Sequence, residues 1–243
     1  MPALPKPLVE NAGLAFSGER PWPAAQLNDV QAEKLAAAVN RCGRPNSDVL
    51  RRRLAVVDGT PAENWQLDFP THFTDQEAAL YEQPFGRLAG AWRNPQAQPE
   101  LRRALARLSR YLAMPADAER PDWVWVEDER LPDASLVVVA REDDFMHGLL
   151  SSAPFAAWHA AHRATLPPDR VVESFPFPWP PSTSLNALTS AQEESRHAVA
   201  RAIRAGNVDA LNEAVARAYG WPAGEGGAEA LERLTSLHSQ RMA

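Results

Sequence analysis

Carboxylate and histidine groupings are the first candidates for chemistry in this sequence. Glu142-Asp143-Asp144 places three carboxylates in a row, and hard oxygen ligands of that kind recruit divalent cations. The same run also suits a helix start, where negative charge meets the positive end of the dipole, and that is the reading adopted. His159 and His162 stand about one helical turn apart, and Glu194 with His197 has Glu-x-x-His spacing. A di-iron carboxylate bundle needs that motif twice with two further glutamates, and a zinc site needs a third ligand. No third partner is spaced to complete either set, so surface or packing histidines are expected. Pro121-Asp122 and Pro132-Asp133 each supply half of a Pro-Asp…Asp/Glu-x-Lys nuclease centre, but the two lysines, Lys6 and Lys34, lie far upstream. Methyl transfer to the amino group of adenine or cytosine needs a glycine loop after a strand and an Asn/Asp-Pro-Pro-aromatic turn. Here Leu166 precedes Pro167-Pro168, Trp179 precedes Pro180-Pro181, and Gly224, Gly226 and Gly227 fall between helices. No Gly-x-Ser-x-Gly elbow offers a serine nucleophile. A non-catalytic chain with no cofactor and no metal is the expectation.

The elements that would position these groups belong to an ordinary globular protein. The 243 residues are 45% hydrophobic and 23% charged, enough for one large domain or one domain with an appendage. No apolar stretch approaches the roughly 18 residues of a membrane span, and Cys42 is the one cysteine. A cytoplasmic protein without disulfides is expected, with no membrane partner. The 25 cations are arginines apart from the two lysines, and the net charge is -6. Arginine suits bidentate contacts to guanine and phosphate, whereas an acidic total is the wrong sign for a free-standing DNA binder.

Along the chain, Leu14–Ser17 reads as a short strand. Asp29 opens a helix to about Asn40 with Val30, Leu35 and Val39 as its buried side. Ser47 starts a short basic helix holding Leu50 and Leu54, with Arg51, Arg52 and Arg53 between them. Trp65, Leu67 and Phe69 alternate with polar residues as a strand does. Thr74 and Glu77 form a capping box, and Pro84 kinks or splits the helix that follows. Leu101, Leu105 and Leu108 mark another helix, then strands are expected at Trp123–Val126 and Leu136–Ala140. Phe145–Leu150 and Phe155–Ala161 read as helix, interrupted at Pro154. Phe175-Pro176-Phe177-Pro178-Trp179-Pro180-Pro181 is a stiff linker whose aromatics pin it to a neighbour. Beyond it lie a helix capped by Ser190 and Glu193, a helix capped by Asn207 and stopped at Gly220, and a last helix with Leu231, Leu234 and Leu237. The fold class is α+β: a mixed β-sheet flanked by helices over residues 1–180, then a helical tail over residues 181–243.

Read together, these segments resemble the C-terminal part of the MmeI-like DNA methyltransferases, which are single-chain type II restriction–modification enzymes. The likeness runs from about Val9 to the end. It rests on Asn11-Ala12-Gly13 with Phe16 and Gly18, on Asn46 to Leu54, and on Trp65-Gln66-Leu67-Asp68-Phe69. Arg110-Tyr111-Leu112-Ala113-Met114-Pro115, Leu131-Pro132-Asp133 and Ala140 to Asp144 continue it. Glu173-Ser174-Phe175-Pro176-Phe177-Pro178 and Leu211 to Pro222 complete it. The resemblance implies a target-recognition domain with a helical tail, without the nuclease and methyltransferase modules that precede that region in the family. It therefore implies double-stranded DNA and a separate methyltransferase chain as partners. The residues nominated for DNA contact are Arg44, Asn46, Arg51, Arg52, Arg53, Arg110, Tyr111, Arg120 and Arg141. Two segments depart from the family: Ala116 to Arg120 is acidic where the family is basic, and Leu166-Pro167-Pro168-Asp169 shortens a loop. The alternative is an interaction or regulatory protein that keeps the scaffold without binding DNA.

Overall fold

Asp58 and Gly59 both take positive φ, 50° and 73°, the pair of left-handed residues that a two-residue type I′ hairpin turn requires. That turn joins two antiparallel strands and sets Val57 opposite Thr60, Arg52 opposite Trp65 and Leu50 opposite Leu67. The expected basic helix from Ser47 is therefore corrected: a short 3-10 turn at Asn46–Val49 leads into a strand at Leu50–Val57. Leu50 and Leu54 are four apart, which fits one helical turn and two strand repeats equally, and the Asp58-Gly59 turn decides between them.

The computed structural model describes residues 4–127, 129–222, 224 and 227–242. Its elements begin with β1 (Ala15–Ser17), β2 (Gln26–Leu27), α1 (Asp29–Ala37), β3 (Leu50–Val57) and β4 (Thr60–Leu67). Three short helices follow, α2 (Asp75–Ala79), α3 (Glu82–Arg87) and α4 (Pro99–Leu105). Then come β5 (Arg110–Pro115), β6 (Val124–Glu127), β7 (Leu131–Pro132) and β8 (Leu136–Val139). The rest is helical: α5 (Asp144–Leu150), α6 (Ala153–His162), α7 (Pro168–Ser174), α8 (Ser190–Arg204), α9 (Val208–Tyr219) and α10 (Gly227–Met242). This is an α+β protein.

The chain divides into two compact units, and neither is one continuous stretch. The first comprises residues 1–17, 104–126 and 137–243, and the second comprises residues 18–103 and 127–136. A break near residue 180 is not how the contacts partition. The proline segment explains why. Phe175, Phe177 and Trp179 are buried in the same core as Val137, Val139, Leu211 and Leu234, so the expected tail shares the first unit's interior.

In the first unit the sheet order is β1-β8-β5-β6, with β1 antiparallel to β8. All four residues of β8 are buried, as a continuous apolar run predicts where both faces are covered. Gly148 of α5 lies so close to α8 and α9 that an added Cβ would fall 2.4 Å from Val199 Cγ1 and 3.1 Å from Leu211 Cδ1. Asn207 caps α9 through Ala210 N–H, and Gly220 ends it at φ 70°. The cap of α8 is one residue earlier than expected: Thr189 and Gln192 form the box. His159, on α6, is buried, and His162 packs 4.4 Å from the Trp158 ring.

In the second unit the sheet order is β2-β4-β3-β7. Strands β2 and β4 pair antiparallel and β3 and β7 parallel, so the sheet is mixed. Its core contains Leu27, Leu35, Val49, Leu67, Phe69, Tyr81 and Trp92. The capping box at Thr74 and Glu77 forms as read from the sequence. Asn28, not Asp29, caps α1. Val30 and Val39 are exposed, a second correction, because the helix stops at Ala37 and turns Ala32 and Leu35 inward.

Candidate nucleic-acid interface

The three arginines of β3 meet three environments: strand alternation sets Arg52 on the face opposite Arg51 and Arg53, and along that shared face Arg51 is partly exposed while Arg53 is buried. Arg52 is half-exposed, lies 4.9 Å from the Trp65 ring centre and pairs with Glu63 at 3.0 Å. Glu63 also takes Arg130 at 3.2 Å, so two cations share one carboxylate. Arg51 is partly exposed and donates to the Leu50 carbonyl at 3.2 Å. Leu50, Arg51, Arg52, Trp65, Glu129 and Arg130 line a shallow depression of about 300 Å³. Arginine interleaved with an aromatic ring is a surface on which phosphate and base faces can both be met.

Arg53, by contrast, is fully buried. Its guanidinium donates to the Glu19 carbonyl at 2.8 Å, to Asp133 at 2.6 Å and to Gln66 Oε1 at 3.1 Å. Glu19 is the hub of a second network, where its carboxylate accepts from Arg102 Nε at 2.6 Å and from the Gln98 N–H at 2.8 Å. Arg102 also donates to Asp68 at 2.9 Å. The two carboxylates hold the Arg102 guanidinium charged well above the ordinary arginine range, against the opposing effect of burial.

Asn46 is likewise inside. Its amide donates to the Leu35 and Ala38 carbonyls at 2.9 and 3.0 Å, satisfying the unpaired end of α1. Arg53 and Asn46 are therefore structural groups, and burial takes both out of the nominated contact set. Arg44 is exposed on the loop before that turn, and hydrogen bonding to the Tyr81 hydroxyl raises its pKa further.

In the first unit, Arg110 is enclosed rather than free. It donates to the Glu142 carbonyl at 3.1 and 3.0 Å, pairs with Asp144 at 2.8 Å and lies 3.9 Å from the Trp125 ring centre. Asp144 is shared with the more exposed Arg204. Burial alone would raise the Asp144 pKa, but hydrogen bonds and charge from Arg204 and Arg110 pull it below the usual range. Tyr111 is buried in β5. Arg120 is exposed on the turn after β5 and Arg141 is partly exposed before α5. Of the acidic run, Glu142 accepts from Ser109 and Asp143 caps α5.

The structure thus leaves Arg44, Arg51, Arg52, Arg120 and Arg141 with surface access, in two groups on separate units. Trp65, Arg130 and Arg204 belong with them, beyond the residues that the sequence points to. Trp65 was legible as a strand aromatic, while Arg130 and Arg204 carry no local pattern. Among the described residues, no group of three or more His, Cys, Asp or Glu is placed to hold a metal ion. No described helix is long and apolar enough to cross a membrane.

Comparison with known proteins places the fold alongside a restriction–modification enzyme. The solved structure in question is the Type IIL restriction–modification enzyme MmeI in complex with DNA, matched at a TM-score of 0.57 and 14% identity. The match covers 94% of this chain and 35% of the enzyme's, so the chain spans about a third of its length. At that identity the likeness is one of fold. No protein family matches the sequence, and no curated protein does.

Proposed function

We propose that this chain recognises DNA sequence as a subunit or fragment of a restriction–modification methyltransferase system and is itself non-catalytic. The observation that carries the reading is the near-complete alignment of the chain with one third of a DNA-bound restriction–modification enzyme. Motif resemblance along the sequence supports it independently, as does the lack of a glycine loop after a strand and of an Asn/Asp-Pro-Pro-aromatic turn in the sequence. Double-stranded DNA is the ligand, and a separate methyltransferase chain supplies the chemistry. Exposed arginines on β3 and near β5 and α5 make the contacts, with Arg52 beside Trp65 as the leading group.

The test is a binding titration with genomic fragments, alone and with a methyltransferase partner, at several salt concentrations. Affinity falls with salt at a log–log slope of about -0.9 per neutralised phosphate. Arg52→Ala reduces that slope by about one if it meets phosphate, or relaxes one base position if it reads a base. Absence of sequence-dependent binding in every condition sinks the proposal. Labelled methyl donor and DNA incubated with the pure chain leave the DNA unlabelled, and reproducible incorporation would equally end it.

A second reading, an interaction or regulatory protein on the same scaffold, is favoured by one group of observations. Arg53 and Asn46 are internal, Arg110 is neutralised by Asp144, and the net charge is -6.

A further inference from the structure

The first unit contains a cavity of about 480 Å³ between α5, the segment after Trp179 and the start of α8. That volume falls within the roughly 300–1,000 Å³ typical of small-ligand pockets. Its floor is apolar, formed by Met146, Leu149 and Leu188 with Phe145 and Trp179. The last two rings are stacked on each other at 4.9 Å and 6°. Its rim is polar, with Arg141, Ser182, Thr183 and Ser184.

The charges at the rim are unequally committed. Glu142 accepts from the Ser109 N–H and hydroxyl at 2.9 and 3.1 Å. Asp143 accepts from the Met146 N–H at 2.9 Å. Arg196 is held by Glu193 through two bonds of 2.8 and 2.6 Å. Arg141 differs: its Nε is buried with no hydrogen-bond partner among the described residues, and Asp143 lies at 4.0 Å. A buried donor without an acceptor is destabilising, and a bound anion removes that cost.

The geometry points to a binding site for a nucleoside monophosphate group, with the phosphate at Arg141 and the Ser182–Ser184 hydroxyls and the base over the apolar floor. Arg141 offers a contact to an anion, and the apolar lining offers a surface to a planar body. Two sources present this chemistry, a free nucleotide and a nucleotide of a DNA strand that leaves the stack or ends it. The site goes beyond the sequence-recognition reading and does not depend on it, since a free nucleotide tests it without any duplex.

The experiment uses the full chain. Deoxynucleoside monophosphates, inorganic phosphate and a single-stranded oligonucleotide are titrated in turn, followed by calorimetry and by the indole N–H resonance of Trp179 in NMR spectra. A monophosphate binds more tightly than inorganic phosphate and moves the Trp179 resonance. Arg141→Gln weakens binding about tenfold or more, the equivalent of one charge-assisted hydrogen bond, without lowering the thermal midpoint. Ser184→Ala, at an exposed position, serves as the second variant should Arg141→Gln fold poorly, and it weakens binding less. Binding by free nucleotide alone assigns a soluble ligand, and tighter binding by the oligonucleotide assigns a DNA strand. No monophosphate binding at millimolar concentration overturns the inference. So does binding that both variants leave unchanged, or that leaves the Trp179 resonance where it was.

Discussion

Replacing Arg53 with alanine separates a structural role from a DNA contact at a residue whose sequence context suggests the latter. The side chain is fully buried, and three acceptors depend on it. Asp133 loses a partner at 2.6 Å, the Glu19 carbonyl one at 2.8 Å and Gln66 one at 3.1 Å. Removing one member of a buried ion pair costs about 3–5 kcal/mol, because the other charge stays uncompensated. Asp133 keeps 16% of its side-chain surface and a bond from the Ser135 N–H, which favours the lower end of that range. Urea denaturation followed by tryptophan fluorescence reads the change as a shift in midpoint at constant slope. Asp133→Asn in the Arg53→Ala background recovers part of the loss, since the stranded charge is then gone; the double-mutant cycle isolates the pair. Added salt leaves the loss nearly unchanged, as buried pairs are weakly screened. A cost under about 0.5 kcal/mol, within the range of an ordinary surface substitution, would refute the account. So would DNA affinity that falls while stability holds.

Three further outcomes follow from packing and burial. Gly148→Ala forces its new Cβ to 2.4 Å from Val199 Cγ1, so the fold loses about 1–3 kcal/mol by overpacking. Val199→Ala in the same chain returns part of that loss in a denaturant melt, and additivity of the two changes would contradict the contact. Leu211→Ala, at a residue 3% exposed, costs about 2–5 kcal/mol; a value near zero would show that α9 does not pack on this core. His147, His159 and His162 all have lowered pKa values, chiefly from burial, with Arg163 adding to the effect at His159 and His238 at His162. The unfolded chain then binds protons first, so their stability contribution is present above about pH 6.5. It is lost as pH falls through that value toward the depressed folded ones. Thermal midpoints measured between neutral and mildly acidic pH should decline, and His159→Gln should flatten the decline; a rise on acidification would reverse the sign argued here.

Local signals in the sequence were legible where one short-range interaction decides the structure. Thr74 with Glu77, Asn207 before α9 and Gly220 after it are such cases, because cap geometry is settled within four residues. The caps of α1 and α8 moved by one position, to Asn28 and Thr189, since adjacent residues there offer equivalent side-chain acceptors. Strand β5 is not legible in the sequence because Tyr111 to Met114 is a buried run without alternation. Strand β7, two residues long, exists through its parallel pairing with Arg53 and Leu54. At the candidate site, residue types were readable but burial was not. Arg51, Arg52 and Arg53 are chemically identical, and what places Arg53 inside is Asp133, 80 residues away. The same holds for Asn46, whose role depends on where α1 ends.

The pairing of β1 with β8 has a consequence for the time course of biosynthesis. Ala15 to Ser17 find their partners at Val137 to Val139, while Asn11 donates to the carbonyls of Glu173 and Phe175, 162 and 164 positions on. His238 meets the Lys6 carbonyl. At about 5–20 residues per second, a gap of that length lasts roughly 10–30 s on the ribosome. Throughout that interval Leu8 and Leu14, both buried in the finished protein, have no core to enter. The β3–β4 hairpin closes early, because its strands are joined by two residues. Strand β1 thus waits for a partner synthesised much later, and the apolar residues around it stay exposed to chaperones or proteases during that part of translation.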